Sequence, residues 1–143
     1  MCSEVSRLVA SVALLVGTLS CSGPTAPLHS DIDLARKTWL EWHPDAYSFE
    51  VAFASSWFPK SGYSRVEVRD GEVVAATDSA GRPLHDFRIT VDSLWNRLLA
   101  ARERGELNSA TFDWHGVPVE FDYGPWEVDG GVGYWVRNFR RSG

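Results

Sequence analysis

The hydrophobic pattern changes period several times along the chain, and each change marks a new element. Ile32, Ala35, Trp39 and Trp42 recur at helical spacing while Arg36, Lys37 and Glu41 fall on the other side. This predicts a helix capped by Ser30, with Asp33 completing a weak capping box and Asp31 and Asp33 at the positive end of the dipole, stopping at His43 before Pro44. From Asp45 the period becomes two: Tyr47, Phe49, Val51 and Phe53 share one face, and Ala46, Ser48, Glu50 and Ala52 the other, as in a half-buried antiparallel strand. Residues 55–62, with Trp57-Phe58-Pro59, read as a loop.

A hairpin follows, in which Asp70-Gly71 suits a two-residue type I′ turn. That register pairs Arg69 with Glu72, Val68 with Val73 and Val66 with Ala75, so the apolar partners share a face. Thr90 opens a second helix, with Val91, Leu94, Trp95, Leu98 and Ala101 as its apolar stripe and Gly105 at its end. A second hairpin with His115-Gly116 as its turn pairs Trp114 with Val117, Phe112 with Val119 and Ala110 with Phe121, setting Asp113, Glu120 and Asp122 toward water. After the Gly/Pro-rich loop 124–131 comes a last strand, 132–139, with Trp135 and Phe139 on one face and Val132, Tyr134 and Val136 on the other.

The order α-β-β-β-α-β-β-β predicts a single α+β domain over residues 31–143, with an antiparallel sheet of about six strands and both helices on one face, the other face left wet. It also reads as two passes of one helix plus three strands. A partly closed barrel around a helix is the alternative architecture.

The first residues do not belong to that pattern. Leu8 to Leu19 form an uncharged run of 12 residues behind Arg7, short of the about 20 that a bilayer span needs but suited to the core of a signal peptide. Thr18-Leu19-Ser20-Cys21 follows, then Ser22-Gly23-Pro24-Thr25-Ala26-Pro27. The run resembles a bacterial lipoprotein signal: residues 1–20 are expected to be removed, Cys21 to become an acylated N-terminus, and residues 21–30 to form a flexible tether. Ordinary secretion with cleavage nearby, or a buried N-terminal element, are the alternatives.

Composition narrows the function classes. The chain has 143 residues and a net charge of −5. It lacks the concentrated Lys/Arg footprint that nucleic acid demands. Its 2 cysteines, Cys2 and Cys21, both precede the domain, so no structural disulfide or Cys/His zinc site is expected in it. His29, His43, His85 and His115 stand too far apart for a helical metal pair and read as solvated loop histidines. Asp113, Glu120, Asp122 and Asp129 are the nearest approach to an oxygen-rich cation site, but without a loop of alternating ligands. Neither a metal nor another cofactor is expected.

Trp39 before Asp45-Ala46-Tyr47-Ser48-Phe49, the Phe58-Pro59 loop, the Val68-to-Val74 hairpin, Thr90-Val91-Asp92-Ser93-Leu94, and Gly116-Val117-Pro118 ahead of Phe121-Asp122 together resemble a family of small secreted bacterial lipoproteins known only as a domain of unknown function. The resemblance spans about Leu34 to Phe139. It implies export, lipidation and a compact α+β domain, and brings no activity with it. Ser56-Trp57-Phe58-Pro59 stands where relatives have a Cys-Phe-Cys-Pro-like loop, so no disulfide or metal chemistry carries over, and the His115-Gly116 turn looks shorter than theirs.

Two chemistries remain. Glu120 and Asp122, roughly 6.5 Å apart as a two-residue strand step, are a candidate acid/base pair for a small envelope hydrolase. Of the 7 tryptophans, Trp39, Trp42, Trp95 and Trp114 fall on core stripes, whereas Trp57 and Trp126 lie in loops. With Phe58 they form a candidate recognition surface for an envelope protein or a cell-wall glycan. The leading expectation is a membrane-anchored, non-enzymatic envelope domain that binds through these loops. The hydrolase and a purely accessory structural lipoprotein are the alternatives.

Overall fold

A computed structural model describes residues 28–143, with side chains from residue 31 onward; Cys21, the signal and most of the expected tether lie outside the described residues. Helix α1 (Leu28–Trp42) is followed by strands β1 (Ala46–Ser55), β2 (Ser64–Arg69) and β3 (Glu72–Thr77). Helix α2 (Val91–Glu103) then leads to β4 (Leu107–Phe112), β5 (Pro118–Tyr123) and β6 (Val132–Arg141). The strands form one antiparallel sheet in the order β3-β2-β1-β6-β5-β4, open at both edges. The α+β architecture is as expected, and the barrel is not formed. The two halves repeat only in element order. In the first half the strand after the helix is central, whereas in the second it lies at the edge.

Both helices feed one core. Ile32, Ala35 and Trp39 of α1 and Val91, Leu94, Trp95 and Leu98 of α2 are buried with Tyr47, Phe49, Val66, Phe121 and Tyr134 from the sheet. Full burial of a large apolar side chain contributes about 1.5–3 kcal/mol, and the indole N–H groups do not detract from it. Trp39 Nε1 donates to Asp92 Oδ1 (2.9 Å) and Trp95 Nε1 to the Gly116 carbonyl (3.1 Å). Thr90 and Ser93 form a reciprocal capping box, as the Thr90 cap anticipated. Helix α1 begins at Leu28, so Ser30 is a helical residue and not the cap.

Three departures from the simple pattern move side chains from their expected places. The Asp70-Gly71 turn has both residues at positive φ (50° and 78°), as a type I′ turn requires. One residue further along β3 is extra, however, so Val66 faces Ala76 instead of Ala75 and Val74 is pushed out, 54% exposed. In β6 the extra residue falls at Asn138 (φ 54°), between Arg137 opposite Glu50 and Arg140 opposite Ser48. This reverses the side that follows: Phe139 leaves the Trp135 face and packs against Trp39, Trp42 and Tyr47.

The third difference is the β4–β5 turn. Its loop runs from Asp113 to Val117, not over His115-Gly116 alone: Asp113 N–H donates to the Val117 carbonyl (3.0 Å), and Asp113 Oδ1 accepts from the N–H groups of His115 and Val117 (2.9 Å each). Trp114 therefore sits at the turn and is 82% exposed, not in the core. Phe112 pairs with Pro118, not Val119.

The face away from the helices is also drier than the pattern suggested. Ala52 and Ala54 are buried there, opposite Trp135 and Gly133. Phe53, expected in the core, stays 43% exposed because the helices lie closest to β4 and β5.

Candidate functional site

The β1–β2 and β5–β6 loops meet at one end of the sheet, and Ser56 joins them. Its N–H donates to the Gly131 carbonyl (2.9 Å), and its hydroxyl oxygen accepts from Gly131 N–H (2.8 Å) and Gly130 N–H (3.3 Å). Ser55 and Phe58 exchange backbone hydrogen bonds in a tight turn (3.0 and 3.1 Å) that lifts Trp57 and Phe58 to its tip, 68% and 66% exposed. Trp126, 40% exposed, comes from the partner loop. The three sequence-nominated aromatics therefore share one rim of the fold, to which Val128, 65% exposed, adds.

Two glycines position Trp126. A Cβ on Gly131 would stand 2.6 Å from the Trp126 ring, and one on Gly133 would stand 3.2 Å from it and 2.8 Å from Trp135. Only a bare backbone lets the indole lie down on β6. Its edge is then held by Asp122, whose Oδ2 accepts from Trp126 Nε1 (3.1 Å) and Asn108 Nδ2 (3.0 Å) and whose Oδ1 accepts from the Ser109 hydroxyl. Partial burial alone would push the Asp122 carboxyl up, but the hydrogen bonds from Ser109, Asn108 and Trp126 hold it below its ordinary value.

Glu120 has the equivalent role a single strand step away, accepting from Trp135 Nε1 (3.1 Å). The Lys60 ammonium lies 4.3 Å from the Trp135 ring centroid. Beyond it, Arg137 donates to Glu50 (2.7 Å) and stacks on Tyr63 at 3.7 Å. The outer face of the sheet is thus a lattice of indole and phenol rings, each fixed by a charged neighbour.

This arrangement gives the Glu120 and Asp122 pair a structural job, holding the edges of two indoles. Each carboxylate accepts an indole N–H, Asp122 from Trp126 and Glu120 from Trp135. The shallow depression beside Asp122 is lined by Asn108, Gly124, Pro125, Trp126 and Glu127, without Glu120. Asp113 is tied into the β4–β5 turn at the far end of the strands. No cluster of three or more His, Cys, Asp or Glu suited to a metal ion occurs among the described residues.

His43 and His85 are exposed, as expected, whereas His115 is not. His115 is 16% exposed at its side chain, with its ring 3.9 Å from that of Trp42 and 3.4 Å from that of Trp114. His43 Nε2 lies 2.8 Å from Asp92 Oδ2, so Asp92 ties the end of α1 to the start of α2. No described helix is long and apolar enough to cross a membrane.

A family model matches residues 31–141, the whole of this fold apart from its first helical residues and last two positions. The chain belongs to the Family of unknown function (DUF6174). No curated protein and no solved structure matches it. Within this DUF6174 chain, Trp57, Phe58 and Trp126 were legible as loop aromatics, whereas Ser56, Gly131 and Gly133, which assemble them, carry no sequence signal beyond being small.

Proposed function

We propose that the chain is an exported envelope lipoprotein, anchored through Cys21, whose domain is a non-catalytic binding module that contacts its partner through the Trp57, Phe58 and Trp126 rim. The observation that carries this reading is the Ser56 bridge, which unites two exposed aromatic loops that periodicity alone would leave separate. Of the two partner classes, a cell-wall glycan is favoured over an envelope protein. Trp126 offers a flat apolar face with the Asp122 carboxylate and Asn108 amide beside it, and sugar rings present apolar faces edged by hydroxyls.

The test is twofold. Expressed in a bacterial host, the chain should partition with membranes and take up labelled fatty acid, and Cys21→Ala should abolish both; unchanged labelling overturns the anchor. The full chain should co-sediment with purified peptidoglycan sacculi, and Trp57→Ala and Trp126→Ala should each weaken this by about tenfold. Absence of co-sedimentation, or binding indifferent to both substitutions, overturns the glycan reading.

A further inference from the structure

The two edges of the sheet are not equally protected. At β3 the edge is interrupted by the extra residue at Val74 and covered at its end, where Thr77 bridges Pro83 and Leu84 N–H donates to the Ala76 carbonyl (2.9 Å). At the other edge, β4 reads Leu-Asn-Ser-Ala-Thr-Phe, with no charged residue and no proline, although its pairing with β5 shifts register between Leu107 and Ser109 and again between Thr111 and Phe112. Among the described residues, no strand or bridge pairs with its outer side. Natural sheets blunt such edges with charge, proline or cover because a bare row of N–H and C=O groups recruits another strand.

Beside this edge runs a groove walled by α1. Asp31, Leu34 and Thr38 line it from the helix, and Phe112, Asp113 and Trp114 from the strand and its turn. Leu34 is 65% and Trp114 82% exposed, large apolar groups left open to solvent by the domain. Gly116 sets how close the two walls stand: a Cβ there would collide with the Ala35 carbonyl oxygen and stand 2.8 Å from Trp39 N. Among the described residues, the only charged side chains in the lining are the carboxylates Asp31 and Asp113.

We propose that this groove is a peptide-binding site distinct from the aromatic rim: an extended segment of another protein adds as a seventh strand to β4, sets an apolar side chain between Leu34 and Trp114, and directs a Lys or Arg to Asp31 and Asp113. Main-chain hydrogen bonds supply affinity and alternate side chains supply selectivity, as in other strand-addition sites. The chain's own preceding segment, Ser22 to Pro27, is a poor occupant, because Pro24 and Pro27 cannot donate to a ladder.

The site is tested by panning a displayed library of random peptides of about eight residues against the full-length chain. Enriched peptides should alternate apolar residues around a Lys or Arg and bind, as synthetic peptides, with Kd of about 100 μM or tighter. N-methylation of the central amides, or Lys→Glu in the peptide, should weaken binding at least about tenfold. Leu34→Glu and Trp114→Ala, both at exposed positions, should do the same while leaving sedimentation with sacculi unchanged. Bound peptide should slow amide exchange along Leu107–Phe112. The proposal is overturned by an absence of enrichment, by binding that survives both substitutions, by protection at the Trp57 and Trp126 rim instead, or by a chain that dimerises through β4 on its own.

Discussion

Asp122 shows how one side chain can be reassigned by its surroundings. By pattern it is a solvent-facing strand carboxylate; in the fold it gathers the Ser109 hydroxyl, the Asn108 amide and the Trp126 indole. Because its folded pKa lies below the ordinary 3.8, its ionisation stabilises the fold above that value, and the contribution is lost as pH falls through the lower folded pKa. Asp122→Asn should therefore cost about 1–2 kcal/mol at neutral pH in urea denaturation, and the gap to the parent chain should narrow as pH falls from the ordinary carboxylate range through the lower folded pKa. A gap independent of pH would mean that the carboxylate's charge contributes nothing. Trp114 makes the complementary point. Its place on an apolar stripe depended on a two-residue turn, and one Asp113 carboxylate accepting two N–H groups lengthened that turn and turned the indole outward.

At the scale of elements, what depended on local repetition was legible: both helices, the Asp70-Gly71 hairpin, the Thr90 cap and all six strands follow from period, turn chemistry and capping. What depended on counting across a pair of strands was not. Extra residues at Val74 and Asn138 leave each strand's composition unaltered, yet the first pushes Val74 out and the second reverses the side on which Phe139 lies. The Ser56 bridge escaped for a related reason, since it spans 75 positions and its members are small residues without a pattern of their own. The junction of α1 with the β4–β5 turn is the most sterically demanding contact between elements. Gly116 has φ 80°, and a side chain there would collide with the α1 backbone at Ala35. Gly116→Ala should cost about 2–4 kcal/mol, measured by chemical denaturation; a loss under about 0.5 kcal/mol would show that α1 can shift to accommodate a methyl group.

For the molecule as a whole, the seven tryptophans run from buried to exposed, with Trp42 and Trp135 between the extremes. Trp39 and Trp95 are fully buried, whereas Trp57, Trp114 and Trp126 stand open to solvent. Acrylamide quenching of the native chain should accordingly be heterogeneous, with an accessible fraction that collapses in the triple variant Trp57→Phe, Trp114→Phe, Trp126→Phe and a protected fraction that persists. A single accessible population would contradict the burial of Trp39 and Trp95.

The direction of α1 bears on how the domain meets its surroundings. Asp33, near the start of that helix, pairs with Arg102 in the last turn of α2, and α2 runs directly into the β4 end where the Glu106 carbonyl accepts from Gly124 N–H. The chain thus enters the fold at the end that carries the aromatic rim, while the Asp70-Gly71 hairpin and the Trp114 turn occupy the opposite pole. With an anchor at Cys21, the seven residues before Leu28 span at most about 25 Å when fully extended. Under the proposed lipid anchor, the domain would be short-sighted: the rim would reach only a thin layer next to the membrane, whereas the far pole would look outward.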